Sequence, residues 1–323
     1  AAVRPVSPEV YENYLKGRSA LAKNNNRTNT EETIGYFNEA IRKDPTFAPS
    51  YLGLAEAYSD LASVFIGGVA ERERPKSILA ARKALELDPE LVEAHVLLAD
   101  MAQQQWHWAE AEAEYRRALE LSPNSAAAYS AFAGWLVSQG RTEEAVTSCR
   151  RARELDPLAV PGTNLAWMLF YARRYDDAVQ ELRSVLAVRP DDAFALWILG
   201  FALIANHHPQ EAVPVLEKGV STSNRSPAIV GLLVHAYAQA GRRADALRLL
   251  EELKRRKQTG YVPAAAFVKA YLGLGEYDEP FLWLEEAFKE KSNLLQFLKV
   301  HPIFDPVRND PRFKDLIRRV GLN

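Results

Sequence analysis

A step of 34 residues runs through this chain and limits what it can fold into. Pro89, Pro123 and Pro157 stand 34 residues apart and Pro190 follows after 33. Ala111, Ala145, Ala178, Ala212 and Ala246 recur at steps of 34, 33, 34 and 34. A unit of that size buries its apolar stripe only against its neighbours, so the units stack along one axis around a continuous core. Residues 126–157 show one unit in full. Tyr129, Phe132, Ala133 and Leu136 make one helical stripe; Ala145, Cys149, Ala152 and Leu155 make a second. Between them, Gly140 suits a left-handed helix end and Thr142 is a candidate cap for the next helix. Asp156-Pro157 closes the unit, with Pro suited to a first helical turn. The spacing predicts a helical hairpin, repeated.

The small and aromatic positions are specific. Tyr51, Leu54, Ala55 and Tyr58 mark a first helix, and Ala111, Tyr115, Ala118 and Pro123 mark a second. This pattern, at this period, resembles the tetratricopeptide repeat (TPR). The resemblance implies an all-α chain: a right-handed superhelical solenoid of about eight TPR-like helical hairpins over residues 10–294. A linker at 1–9 would precede it and a C-terminal cap at 295–323 would close it. Repeat 1 has a polar turn at Asn24-Asn25-Asn26. Repeat 2 is ten residues over the period, with the surplus around Val64–Arg74; Gly67-Gly68 and the charged run 71–74 fit an extended first helix and a longer turn. Pro214 falls inside the second helix of repeat 6, where a lost hydrogen bond and a ring clash predict a kink. Pro280, behind Asp278, falls in a first turn and is tolerated. Asp310-Pro311 opens a last helix whose Phe313, Leu316, Ile317 and Val320 form one stripe, the mark of an end cap. The closing segment HPIFDPVRNDPRFKDLIRRVG also resembles the end of repeat arrays in bacterial multidomain signalling proteins, where a kinase, cyclase or winged-helix domain precedes the repeats.

Composition then narrows the function classes. With 42 acidic and 40 basic residues the net charge is −2, and no global field favours nucleic acid or a membrane surface. The single cysteine, Cys149, rules out an internal disulfide framework and reads as a small buried thiol. No apolar run approaches a membrane span, and the expected location is the cytoplasm. GxSxG, GxxxxGK[ST], HExxH and a strand-linked GxGxxG are all missing, so no enzyme and no cofactor are expected. His207-His208 lies in a turn with no third ligand nearby, so no metal is expected. Lys254-Arg255-Arg256-Lys257 ends a helix, where cations suit the negative terminus, and it lacks the aromatic interleaving of single-strand binders.

The resemblance also implies where a ligand would lie. In the family the first helices line a concave groove through slots 2, 5, 9 and 12 of the unit. Those slots are small or polar in repeat 4 (Ala127, Ser130, Gly134, Val137) and in repeat 7 (Gly231, His235, Ala238). In repeats 5 and 6 they are aromatic and apolar: Trp167, Phe170, Phe194, Trp197, Phe201 and Ile204, with Tyr171 adjacent. Toward the N-terminus, Glu56, Asp60, Glu93 and Asp100 form an acidic end that would favour a basic segment in a ligand. Slots in repeats 2 to 6 hold no Lys, Arg or Asn, which argues against the terminal-carboxylate clamp that some family members use. Two readings follow. Either the aromatic groove binds a partner peptide or helix, or the aromatics are structural and the array is a spacer or homodimerisation module of a larger signalling protein. The sequence is compatible with a groove that is open, filled by the chain's own tail or buried in a dimer.

Overall fold

The computed structural model describes residues 6–23, 27–62, 70–158 and 161–322. These residues form helices and no strand. Sixteen helices pair into eight hairpins, followed by two 3-10 turns and a last helix. The helices are α1 (Pro8–Leu21), α2 (Arg27–Lys43), α3 (Ala48–Leu61), α4 (Ala70–Leu87), α5 (Val92–Gln104), α6 (Trp108–Leu121), α7 (Ala126–Ser138) and α8 (Thr142–Leu155). They continue with α9 (Gly162–Tyr171), α10 (Tyr175–Val188), α11 (Ala193–Ala205), α12 (Pro209–Thr222), α13 (Pro227–Gln239), α14 (Arg243–Thr259), α15 (Ala264–Leu274) and α16 (Glu279–Lys289). The 3-10 turns span Asn293–Phe297 and Pro302–Val307, and α17 spans Pro311–Val320. The chain divides into two compact units, residues 1–124 with α1–α6 and residues 125–323 with α7–α17.

Each hairpin closes where the sequence places its small residues. Ala111, Ala145, Ala178, Ala212 and Ala246 are fully buried, so the second helix of each pair meets its neighbours without side-chain bulk between them. The turns obey the same period. Trp106, Gly140, Arg173, His207, Gly241 and Gly275 all have φ between 63° and 83°, the left-handed geometry that ends a helix. Gly140 behaves as expected; its amide bonds the Val137 carbonyl and that of Arg141 bonds Leu136. In three of the six turns a side chain occupies a conformation that glycine takes at least cost. Thr142, however, is the first residue of α8 and not its cap; Arg141 stands at the cap position and makes no side-chain bond there.

Two other expectations need restating. Helix α3 is not extended: it ends at Leu61 with 14 residues, like α1, while α4 has 18, and residues 63–69 of the surplus lie outside the described residues. Gly67-Gly68, like residues 1–5 of the linker and Asn24–Asn26, lies outside the described residues. Helix α12 runs from Pro209 to Thr222 as one element, so Pro214 does not end it; the bend predicted there is a separate property and remains an expectation. Asp278 stands before α16, with Pro280 in its first turn as expected, but its carboxylate makes no capping bond.

The last hairpin departs from the regular stack. Helix α15 lies along α13 and only touches α14. Glycines permit this: a Cβ on Gly231 would stand 2.3 Å from the Ala266 carbonyl oxygen, and one on Gly273 2.3 Å from the His235 Cα. The two backbones therefore meet directly, which brings His235 and Lys269 together. Helix α17 packs on α16, with Phe313, Leu316 and Val320 buried and Arg319 paired to both oxygens of Glu285 at 2.6 and 2.8 Å. Asp310 accepts the Arg312 amide at 2.8 Å and starts the helix as its sequence suggested.

Candidate functional site

The first helices of residues 125–323 carry a continuous set of rings. Phe194 lies 5.9 Å from Trp197, Trp197 5.7 Å from Trp167 and 5.1 Å from Phe201, centroid to centroid. Trp167 stacks on Phe170 at 5.1 Å and meets Tyr171 edge-on at 4.8 Å. All six aromatics expected from slot positions thus belong to one cluster, and Ile204 is half-buried one turn beyond Phe201. The 34-residue step explains part of the alignment: Trp167 and Phe201 stand one period apart, as do Phe170 and Ile204, so each pair sits at the same height on successive first helices.

The cluster is partly covered by the chain itself. After α16 the chain crosses the first-helix face before reaching α17. Phe297 stacks on Tyr171 at 4.9 Å. The His301 imidazole, 1 % exposed, sits 4.9 Å from Phe201, 5.4 Å from Phe170 and 5.6 Å from Tyr171. Its Nδ1 accepts the Ile303 amide at 3.2 Å, which fixes the neutral tautomer with the proton on Nε2. Burial, with the cations Lys269 and Arg308 nearby, holds this imidazole well below its usual range. Arg173, left-handed at the end of α9, grips both oxygens of Asp305. Arg308 ties the crossing down by donating to the carbonyls of Leu298, Lys299 and His301.

Coverage splits the set. Phe170, Tyr171 and Phe201 are buried; Trp167, Trp197 and Ile204 are half-buried; Phe194 is 49 % exposed. The hydroxyl of Tyr171 and the indole N–H of Trp197 are buried with no hydrogen-bond partner.

Sequence models of the tetratricopeptide repeat match residues 92–125, 163–227 and 203–270. The chain carries tetratricopeptide repeats. No curated protein matches its sequence. Among solved structures it is similar to PilW, a type IV pilus biogenesis factor, with 17 % identity, a TM-score of 0.54 and coverage of 64 % of this chain and 95 % of that one. It is also similar to the Cut9–Hcn1 hetero-tetramer of the APC/C, at 17 % identity and a TM-score of 0.56, covering 71 % of this chain and 46 % of the other. Human IFIT1, solved as a dimer with PPP-AAAA, gives 17 % identity and a TM-score of 0.57 over 88 % of this chain and 73 % of its own. At these identities the likeness is one of fold.

The TPR register also locates residues that reading slots only as far as repeat 7 overlooked. The step from Trp167 to Phe201 to His235 is 34 each time, and the next step lands on Lys269. Its ammonium lies 5.7 Å from the centroid of Trp197. His235 Nδ1 lies 3.0 Å from the Lys269 carbonyl oxygen, so it is the protonated nitrogen and donates. Burial pushes this imidazole down to about 4. The covering segment had no comparable signal, because its ring contacts to α9 and α11 join residues a hundred or more positions apart.

In the other unit, the four acidic positions do not all present free charge. Glu56 is paired with Arg18. Asp100 accepts the Tyr115 hydroxyl, and burial raises it to about 6. Glu93 is exposed. Cys149 is buried, and burial pushes its thiol up to about 11. In the basic run, Lys254 pairs with Glu251, Arg256 donates to the Arg225 carbonyl and Lys257 to that of Val262. Among the described residues, no three His, Cys, Asp or Glu groups converge as a metal site would require, and no helix is long and apolar enough to cross a membrane.

Proposed function

We propose that this chain is a protein-interaction module that holds a partner peptide or helix on the uncovered part of its aromatic cluster. The TPR fold supports an interaction scaffold in general; the partly exposed ledge of Phe194, Trp197 and Trp167 supports this location. One observation carries the reading. Phe194 is half exposed beside two tryptophans that neither the repeats nor the tail finish covering, and large apolar groups left together at a surface mark interaction sites. Tryptophan also dominates binding energies at interfaces because it removes much apolar area with few rotors.

The spacer reading keeps part of the cluster. Phe170, Tyr171 and Phe201 are packed by Phe297 and His301, which favours a structural role for those three. The test is a peptide selection on the intact chain, followed by affinity measurements on Trp197→Ala. The selected peptides should bind the variant about 2 kcal/mol more weakly, roughly 30-fold, with the melting temperature nearly unchanged. Unchanged affinity, or a variant that unfolds, would return Trp197 to the core and leave the spacer reading.

A further inference from the structure

On the first-helix face of residues 125–323 the Trp197 indole N–H, like the Tyr171 hydroxyl, is buried without an acceptor, and the Lys269 ammonium lies beside Trp197. Lys269 is 3 % exposed on α15, and its ammonium has no carboxylate among the described residues. The indole N–H has given up water without an acceptor, and the ammonium has the face of the Trp197 ring beside it but no carboxylate, so a buried cation is left only partly compensated. An acceptor bearing negative charge would answer both. Trp197 is itself half-buried and adjoins exposed Phe194, so its ring joins the ammonium to the ledge.

We propose that Lys269 and Trp197 form a subsite for a carboxylate side chain of the captured partner segment, with the apolar residue beside that carboxylate lying on Phe194. The subsite rests on the reading of the ledge as a binding surface and gives it a chemistry: an acidic residue next to a large apolar one. It also makes recognition proton-linked. Burial alone brings Lys269 down to about 7, so a carboxylate that binds the ammonium form draws in a proton above that pH. The surrounding groups keep their charge while this happens. His235 on α13 is already neutral, pushed down to about 4, and His301 on the crossing segment is held lower than its usual range. Behind His301, Asp305 is ionised between Arg173 and Arg308. Helix α11 contributes Trp197, which does not titrate.

The probes are 3-phenylpropionate and its neutral amide, added to the intact chain and followed through the tryptophan indole N–H resonances. At about pH 6 the acid should bind roughly tenfold tighter than the amide, the worth of one charge-assisted hydrogen bond. Most of that advantage should be gone by about pH 8.5, when the lysine is neutral. Lys269→Met should erase the advantage and keep amide binding; Met fills the same space without a charge, and a melting curve confirms that it folds. Equal binding of acid and amide to the wild type overturns the subsite and leaves the ledge standing, as does an advantage that survives Lys269→Met. If neither probe shifts the Trp197 signal, the ledge reading falls too. With a selected peptide, Glu→Gln should reproduce the loss and C-terminal amidation should not; the reverse result would put a terminal carboxylate in place of the side chain and overturn the proposal as stated.

Discussion

Phe201 and Trp197 sit one turn apart on the same helix, belong to the same ring cluster and have met opposite fates. Phe201 is closed over by the His301 ring at 4.9 Å, while Trp197 stays half-buried beside exposed Phe194. Residue type did not decide this, nor did register. The crossing of residues 293–308 did: where it passes, rings have partners on every side, and where it does not, a ledge remains. The covered half is also locked at its rim by the Arg173–Asp305 pair, between residues 132 positions apart. The same aromatic stripe therefore serves as core in one half and as surface in the other.

The largest test of that division removes the cover. A chain ending at Lys291 loses Leu295, Leu298, Phe304, Phe313, Leu316 and Val320, all buried, and uncovers Phe170, Tyr171 and Phe201. At about 1.5–3 kcal/mol for each large apolar side chain, the gross loss is large enough that a net cost above roughly 5 kcal/mol is expected. Thermal melting should move down sharply, and a hydrophobic dye should bind at the exposed rings. A truncated chain that melts where the full one does, without binding dye, would show the crossing to be a detachable occupant and not part of the core.

A smaller and sharper test compares the two rings directly. Phe201→Ala should cost roughly 3–5 kcal/mol of folding stability, because its cavity is walled by Trp167, Phe170, Trp197 and His301. Trp197→Ala, by contrast, should act mainly on binding. Denaturant midpoints for the pair measure the contrast; equal losses of stability in both variants would erase the distinction between core and ledge.

Most of the fold was legible because each repeat states its pattern again. One ambiguous hairpin, such as repeat 2 with its surplus, is corrected by its neighbours. The aromatic set was legible for the same reason, since slots 34 residues apart fall at one height. What a periodic reading could not show was anything done once. The crossing segment occurs once, its ring contacts to α9 and α11 reach back a hundred residues or more, and no spacing announces that Phe297 stacks on Tyr171. Acidic slots misled in a related way: a slot gives direction, not company, and Glu56 and Asp100 already have partners in Arg18 and Tyr115. Lys269 was within reach, one period past His235, but its meaning was not. A lysine in a slot reads as exposed charge until packing shows that α15 lies against α13 and encloses it.

The finest test asks whether Lys269 truly lacks company, and it separates the ledge from the covered half by charge and not by area. In the unfolded chain this lysine titrates near its ordinary 10.5; in the folded chain burial brings it down to about 7. Between those values the unfolded state holds a proton that the folded state has released, so wild-type stability rises with pH across that window. Below about 7 both states are protonated and the folded chain bears the whole cost of a buried ammonium. Lys269→Met removes the cost at every pH. Its stability advantage over wild type should be greatest near pH 6.5 and shrink by roughly 1 kcal/mol for each pH unit above 7.5. Ionisation of other groups, including the buried Cys149 thiol, affects both proteins alike and cancels in the difference. Urea unfolding of the pair at pH 6.5, 7.5 and 8.5 measures it. An advantage that stays flat over that range would mean the ammonium remains charged in the fold, held by an acceptor, and Trp197 would then stand beside a satisfied cation, as Tyr115 stands beside Asp100.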